Sequence, residues 1–96
     1  QVRPEQQSAE NLTQLGWQQF HRGEVTAAHQ TWQSATRKYR QLRDETGTIG
    51  SLVNESLALR SLGFYPRACS TLLSALNLSQ DLCLPIGVAS SDLISE

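Results

Sequence analysis

The sequence predicts an all-α fold, an α-solenoid of antiparallel helix pairs with about five helices in one domain. Three observations lead there. Apolar residues recur at helical spacing along most of the chain, and no segment alternates with a period of two. Glycines at Arg22-Gly23 and Leu62-Gly63 stand where two of the periodic runs stop. The chain also resembles itself at a shift of 40 residues, which aligns Gly23 with Gly63, Leu12 with Leu52, Ala28 with Ala68 and Ala35 with Ala75. Thr31, Ser34, Leu42 and Gly47 find Thr71, Ser74, Leu82 and Gly87 by the same shift. The aligned glycines and alanines are the small residues that close helix packing needs.

The elements follow in order. Pro4 suits a first helical turn, so a first helix starts at Pro4 or Ser8 and runs to His21. Leu12, Leu15, Gly16 and Gln19 mark one face of it at i, i+3, i+4 and i+7. A second helix begins near Glu24 and reaches about Arg43, roughly 30 Å at 1.5 Å per residue and longer than the first. Ala28, Trp32 and Ala35 form its inner face. Asp44 is the expected N-cap of a third helix, with Glu45 in its first turn. That helix carries Leu52, Ser56, Leu59 and Leu62 on one side and Ile49, Val53 and Leu57 on the other, and Gly63 stops it. Tyr65-Pro66 opens a fourth helix with Ala68, Leu72, Ala75 and Leu76 inward. Leu84-Pro85 then breaks the chain before one more helix. The implied units are 4–43, 44–83 and 84–96, the last being the first helix of a third pair.

Composition narrows the function classes. A net charge of -1 gives no bulk attraction to nucleic acid or to an anionic membrane. No apolar run is long enough to span a bilayer, and none resembles a signal segment. The absence of methionine suggests a trimmed or processed chain. Cys69 and Cys83 cannot alone make a four-ligand zinc site, and only His21 and His29 could help them. On one long helix the two cysteines would lie roughly 21 Å apart along the axis, too far to bridge. They therefore read as two half-buried thiols, and no metal or cofactor is expected.

The spacing Leu12-x-x-Leu15-Gly16-x-x-Gln19, followed by Ala28-x-x-x-Trp32, resembles the tetratricopeptide repeat. Leu12 stands where that pattern has an aromatic residue, and Gln19 where it has tyrosine. In the second copy the Leu-Gly pair becomes Glu55-Ser56. The long period is similar to that of bacterial arrays attached to caspase-like CHAT domains. The resemblance implies a right-handed superhelix whose first helices line a concave groove. It also implies a non-catalytic interaction scaffold, the N-terminal repeats of a larger protein, with an exported compartment favoured over the cytoplasm.

Helical geometry places Thr13, Trp17, Phe20 and His21 on the groove side of the first unit, and Val53, Asn54, Leu57 and Arg60 on that of the second. Peptide-binding members that clamp a C-terminal carboxylate carry lysine, asparagine and arginine in the groove. Only Asn54 matches, so an apolar helix or aromatic-anchored segment of a protein partner is the better expectation. The alternative is a self-assembly module whose groove serves homo-oligomerisation only. Separately, a homodimer through the last helix, with Ile86, Val88, Leu93 and Ile94, is expected. Nothing resembles a phosphate loop, a metalloprotease helix or a nucleophile elbow, so no enzyme is expected. His21 and His29 read as solvated or capping residues. Arg37, Lys38, Arg40 and Arg43 read as a solvated face rather than a nucleic-acid site.

Overall fold

The computed structural model of the chain describes residues 3–78 and 83. Among them it contains four α-helices and no strand: α1 (Pro4–His21), α2 (Val25–Gln41), α3 (Glu45–Ser61) and α4 (Tyr65–Ala75). Each helix packs against its neighbour in sequence, α1 on α2, α2 on α3 and α3 on α4. The expected fifth helix, in 84–96, lies outside the described residues.

The turns explain why the helices fold back. In all four, the residue after the C-cap takes a left-handed conformation: Gly23 (φ 82°), Arg43 (φ 57°), Gly63 (φ 87°) and Asn77 (φ 58°). The next N–H then reaches back to the fifth carbonyl before it, Glu24 to Gln19, Asp44 to Tyr39, Phe64 to Leu59 and Leu78 to Leu73, each at 2.9 Å. This is the Schellman arrangement, which satisfies carbonyls that a helix end leaves without partners. Glycine enters that conformation without a Cβ penalty, and asparagine is the usual second choice. Arg43 does so against its intrinsic preference. The helix starts are locally specified as well. Gln6 accepts from the Arg3 backbone N–H at 3.2 Å, and Asp44 accepts from the Gly47 N–H at 2.9 Å, as expected of an N-cap.

Two boundaries differ from the sequence expectation. α2 has 17 residues against 18 for α1, so it is not the longer helix. Leu42 serves as its C-cap and Arg43 already belongs to the turn. α4 is shorter still, ending at Ala75 because Asn77 turns the chain. That early stop removes the premise of the separated-thiol argument. Cys69 and Cys83 are disulfide-bonded, with Cα atoms 5.5 Å apart. They are not free thiols. Closing a loop of this length constrains the unfolded chain by about 3 kcal/mol in the chain-entropy account.

The core is built around Trp32, which is 0% exposed and clusters with Ala28 and Ala58. Its indole lies directly over Gly16, where a Cβ would sit far inside van der Waals contact with the ring atoms. Its Nε1–H donates to the Thr13 carbonyl at 3.1 Å, so burial leaves the indole donor paired. Tyr39 repeats the device one helix later, its ring covering Gly47 of α3.

Residues aligned by the 40-residue shift share roles. Ala28 and Ala68 are both buried, as are Ala35 and Ala75, and Gly16 and Ser56. Ser56 needs a partner that Gly16 did not, and its hydroxyl donates to the Ala68 carbonyl at 2.8 Å. The face read from Leu12, Leu15, Gly16 and Gln19 is only partly covered. Gly16 is buried, Leu12 and Gln19 are half-buried, and Leu15 is 40% exposed. Among the described residues no helix precedes α1 to cover Leu15.

Gly16→Ala should lower stability by about 1–3 kcal/mol, because a fully buried indole has no room to retreat. For a domain of this size each kcal/mol shifts the melt by roughly 4–8 °C. Gly50→Ala, where a Cβ meets nothing within 4 Å, should instead raise stability by about 0.5–1 kcal/mol. Thermal melts of the two variants check the pair, and equal shifts would remove Gly16 from the interhelical seam.

Candidate functional site

One open groove of about 520 Å³ runs along the outer face of α3, with Val53, Asn54, Ser56, Leu57 and Arg60 lining it. Trp17 of α1 closes one side, and Tyr65, Ala68, Cys69 and Leu72 of α4 close the other. The wall is predominantly apolar, and Val53, Tyr65 and Leu72 are exposed. Among the described lining residues Arg60, also exposed, is the one charged side chain.

Five of the eight residues expected on the groove side thus line it together: Trp17, Val53, Asn54, Leu57 and Arg60. The other three do not. Phe20 packs on Trp32 at 5.8 Å between ring centroids. His21 is exposed and stacks on Trp17 at 5.8 Å. Thr13 faces a separate hollow with Tyr39, Gly47, Gly50, Ser51 and Asn54, and its hydroxyl donates to the Ala9 carbonyl at 3.1 Å.

Trp17 is less independent of the core than its sequence position implies. It is half-buried, and its ring meets Trp32 edge-on at 5.0 Å and Phe20 at 5.8 Å. It is at once groove wall and core support.

The α4 contribution was not foreseen, because the family resemblance points only to first helices. A signal was nonetheless present in the repeat. The 40-residue shift aligns Leu72 with Trp32, yet Trp32 is covered by Ala58 of α3 while Leu72 is 38% exposed. A position that is core in the first pair is thus partly exposed in the second.

Behind the groove, Glu55 sits between α2 and α3 with only 8% exposed. Thr36 Oγ1 lies 2.5 Å from its Oε2 and 3.0 Å from the Trp32 carbonyl. The hydroxyl donates to the carboxylate and lies within reach of the backbone acceptor of its own helix as well. Burial pushes the Glu55 carboxyl above its ordinary range, against the opposing pull of Thr36, Arg40 and Arg37. His29 of α2 is likewise buried, and so is not the solvated or capping residue that its position on the helix flank implies. Desolvation, then the charge of Arg67, holds its pKa below the usual imidazole value.

Among the described residues no three His, Cys, Asp or Glu side chains are grouped to hold a metal ion. No described helix is long and apolar enough to cross a membrane. In comparisons with protein-family models, with curated proteins and with solved structures, nothing matches the chain.

A carboxyl whose pKa rises on folding is favoured in the protonated folded state. Its contribution is complete below the unfolded value near 4.5 and is lost as pH rises through the folded value. Glu55→Gln should therefore be more stable than the parent at pH 7, with the gap closing as pH falls toward 4.5. His29 titrates in both proteins and cancels in the difference. Urea midpoints of the pair across this range test the expectation, and a constant gap would separate Glu55 from the pH dependence.

Proposed function

We propose that this chain is a tetratricopeptide-like solenoid acting as a non-catalytic protein-interaction scaffold. Its groove takes an apolar helical segment of a partner protein, one that carries acidic residues beside its apolar face. The observation that carries the reading is the groove itself: an open, mainly apolar channel with Arg60 as the one charge in its described wall. Leucine-type side chains would fill the space along Val53, Leu57 and Leu72, and a carboxylate would meet the guanidinium.

The serial packing of helices, the common turns and the matched small residues support a solenoid. The resemblance to CHAT-linked arrays adds that such a scaffold would hold or control a caspase-like domain. The Cys69–Cys83 disulfide supports an oxidising compartment, since such bonds persist outside the reducing cytosol.

A helical peptide with leucines on one face and glutamates on the other is the probe. Val53→Ser, at a 41% exposed position, should weaken its binding about tenfold, or 1.4 kcal/mol. The melt should move by no more than about 0.5 kcal/mol. Arg60→Glu should shift preference to the lysine-faced version of the peptide. Calorimetry that finds no binding to the parent chain rejects the reading. Sedimentation showing a dimer that Val53→Ser dissolves, with no peptide binding, would put self-assembly in its place.

A further inference from the structure

The two sulfurs of the disulfide differ in setting. Cys83 is buried, at 5% exposure. Cys69 is half-buried, and it forms part of the groove wall between Ala68 and Leu72. A thiolate approaching from solvent thus reaches one partner through an open channel and finds the other covered. Which sulfur is attacked in thiol–disulfide exchange depends on access as well as on thiol acidity.

We propose that Cys69 is a thiol-exchange site entered through the groove, so that groove occupancy and the redox state of the Cys69–Cys83 pair control each other. The regulatory half of this inference rests on the scaffold reading; the exchange site does not.

The co-reactant is a dithiol reductant. Its thiolate attacks Cys69 Sγ, forming a mixed disulfide, and the electron pair of the broken bond leaves on Cys83 Sγ, which takes up a proton. The second thiol of the reductant, deprotonated, then attacks its own sulfur in the mixed disulfide. Cys69 is expelled as a thiolate and protonated in turn. Two electrons enter the protein, and the reductant becomes a disulfide.

The consequence for the groove follows from α4. This helix has 11 residues and, among the described helices, packs chiefly on α3. It supplies four residues to the groove wall, Tyr65, Ala68, Cys69 and Leu72. The disulfide ties it at Cys69 to residue 83. Reduction removes that tie and loosens the wall. A segment lying in the groove would cover Cys69 and hold the wall in place. Reciprocity is then required: if the oxidised chain binds a segment more tightly, the bound segment stabilises the oxidised state by the same factor.

The oxidised chain treated with reduced glutathione, quenched in acid at early times and mapped by mass spectrometry, tests the exchange site. Glutathione should be found on Cys69, with a free thiol at Cys83, in about tenfold excess over the reverse adduct. Equal adducts, or an excess on Cys83, would overturn the site. Val53→Trp, which fills the groove from an exposed position, should slow reduction by dithiothreitol about fivefold. Leu15→Trp, outside the groove lining, should not. An unchanged rate in a folded Val53→Trp protein would show that the groove is not the route, and Leu57→Trp repeats the test if that variant does not fold.

The leucine–glutamate peptide tests the coupling. It should bind the reduced chain at least about fivefold more weakly and protect the oxidised chain from dithiothreitol by a matching factor. Equal affinity in both redox states would overturn the coupling. If the peptide binds neither state, the scaffold reading and the coupling fall together, while the glutathione map still decides the exchange site.

Discussion

The contact between Trp32 and Gly16 is the constraint on which the rest of the chain depends. An indole laid over a glycine brings α1 and α2 closer than any side chain at residue 16 would permit. With the indole buried, Ala58 can close over it, which sets where α3 lies. The Nε1–H to Thr13 carbonyl bond makes that burial possible without an orphaned donor. Trp17 and Phe20 then pack around the same ring, and Trp17 reaches the groove. The groove and the core therefore share a wall, and α1 cannot shift without altering both.

Glu55 shows what that arrangement demands elsewhere. It occupies the repeat position of Leu15, but α2 covers it, whereas Leu15 has no described helix before it. An apolar side chain would be the ordinary solution. The chain places a carboxyl there, satisfied through Thr36, and so joins the packing of α2 on α3 to a proton. Such buried polar pairs stabilise less than well-packed apolar groups do, but they penalise any shift in register that separates them.

The helices were legible in the sequence because their signals are local. Glycine at 23 and 63, Asp44 as an N-cap, proline at 4 and 66 and the 3.6-residue apolar spacing each act within one turn of the chain. The end of α4 was missed because Asn77 is a weaker stop than glycine, and the repeat argued for continuation to residue 83. One boundary error carried the cysteines with it, since a helix separates what a turn brings together. The groove was half legible. Its α3 stripe follows from periodicity, while its α4 wall depends on what does not cover Leu72, a tertiary fact that no local pattern contains. Angle alone points Phe20 and His21 to the groove; Phe20 instead packs on the Trp32 ring, while His21 stays exposed against Trp17.

The succession of nearest-neighbour contacts also bears on how fast the chain acquires its shape. Left-handed residues at 23, 43 and 63 divide the first three helices evenly, and each helix meets the next across a three-residue turn. Contacting residues are consequently close in sequence, the condition under which loop closure is inexpensive in entropy and folding reaches the microsecond-to-millisecond range. The disulfide, in contrast, forms by bimolecular chemistry that takes seconds to hours. The newly collapsed chain is therefore expected to pass an interval with its helices packed and Cys69 still a thiol, the tie on the groove's last wall arriving on the clock of an oxidant rather than of the polypeptide.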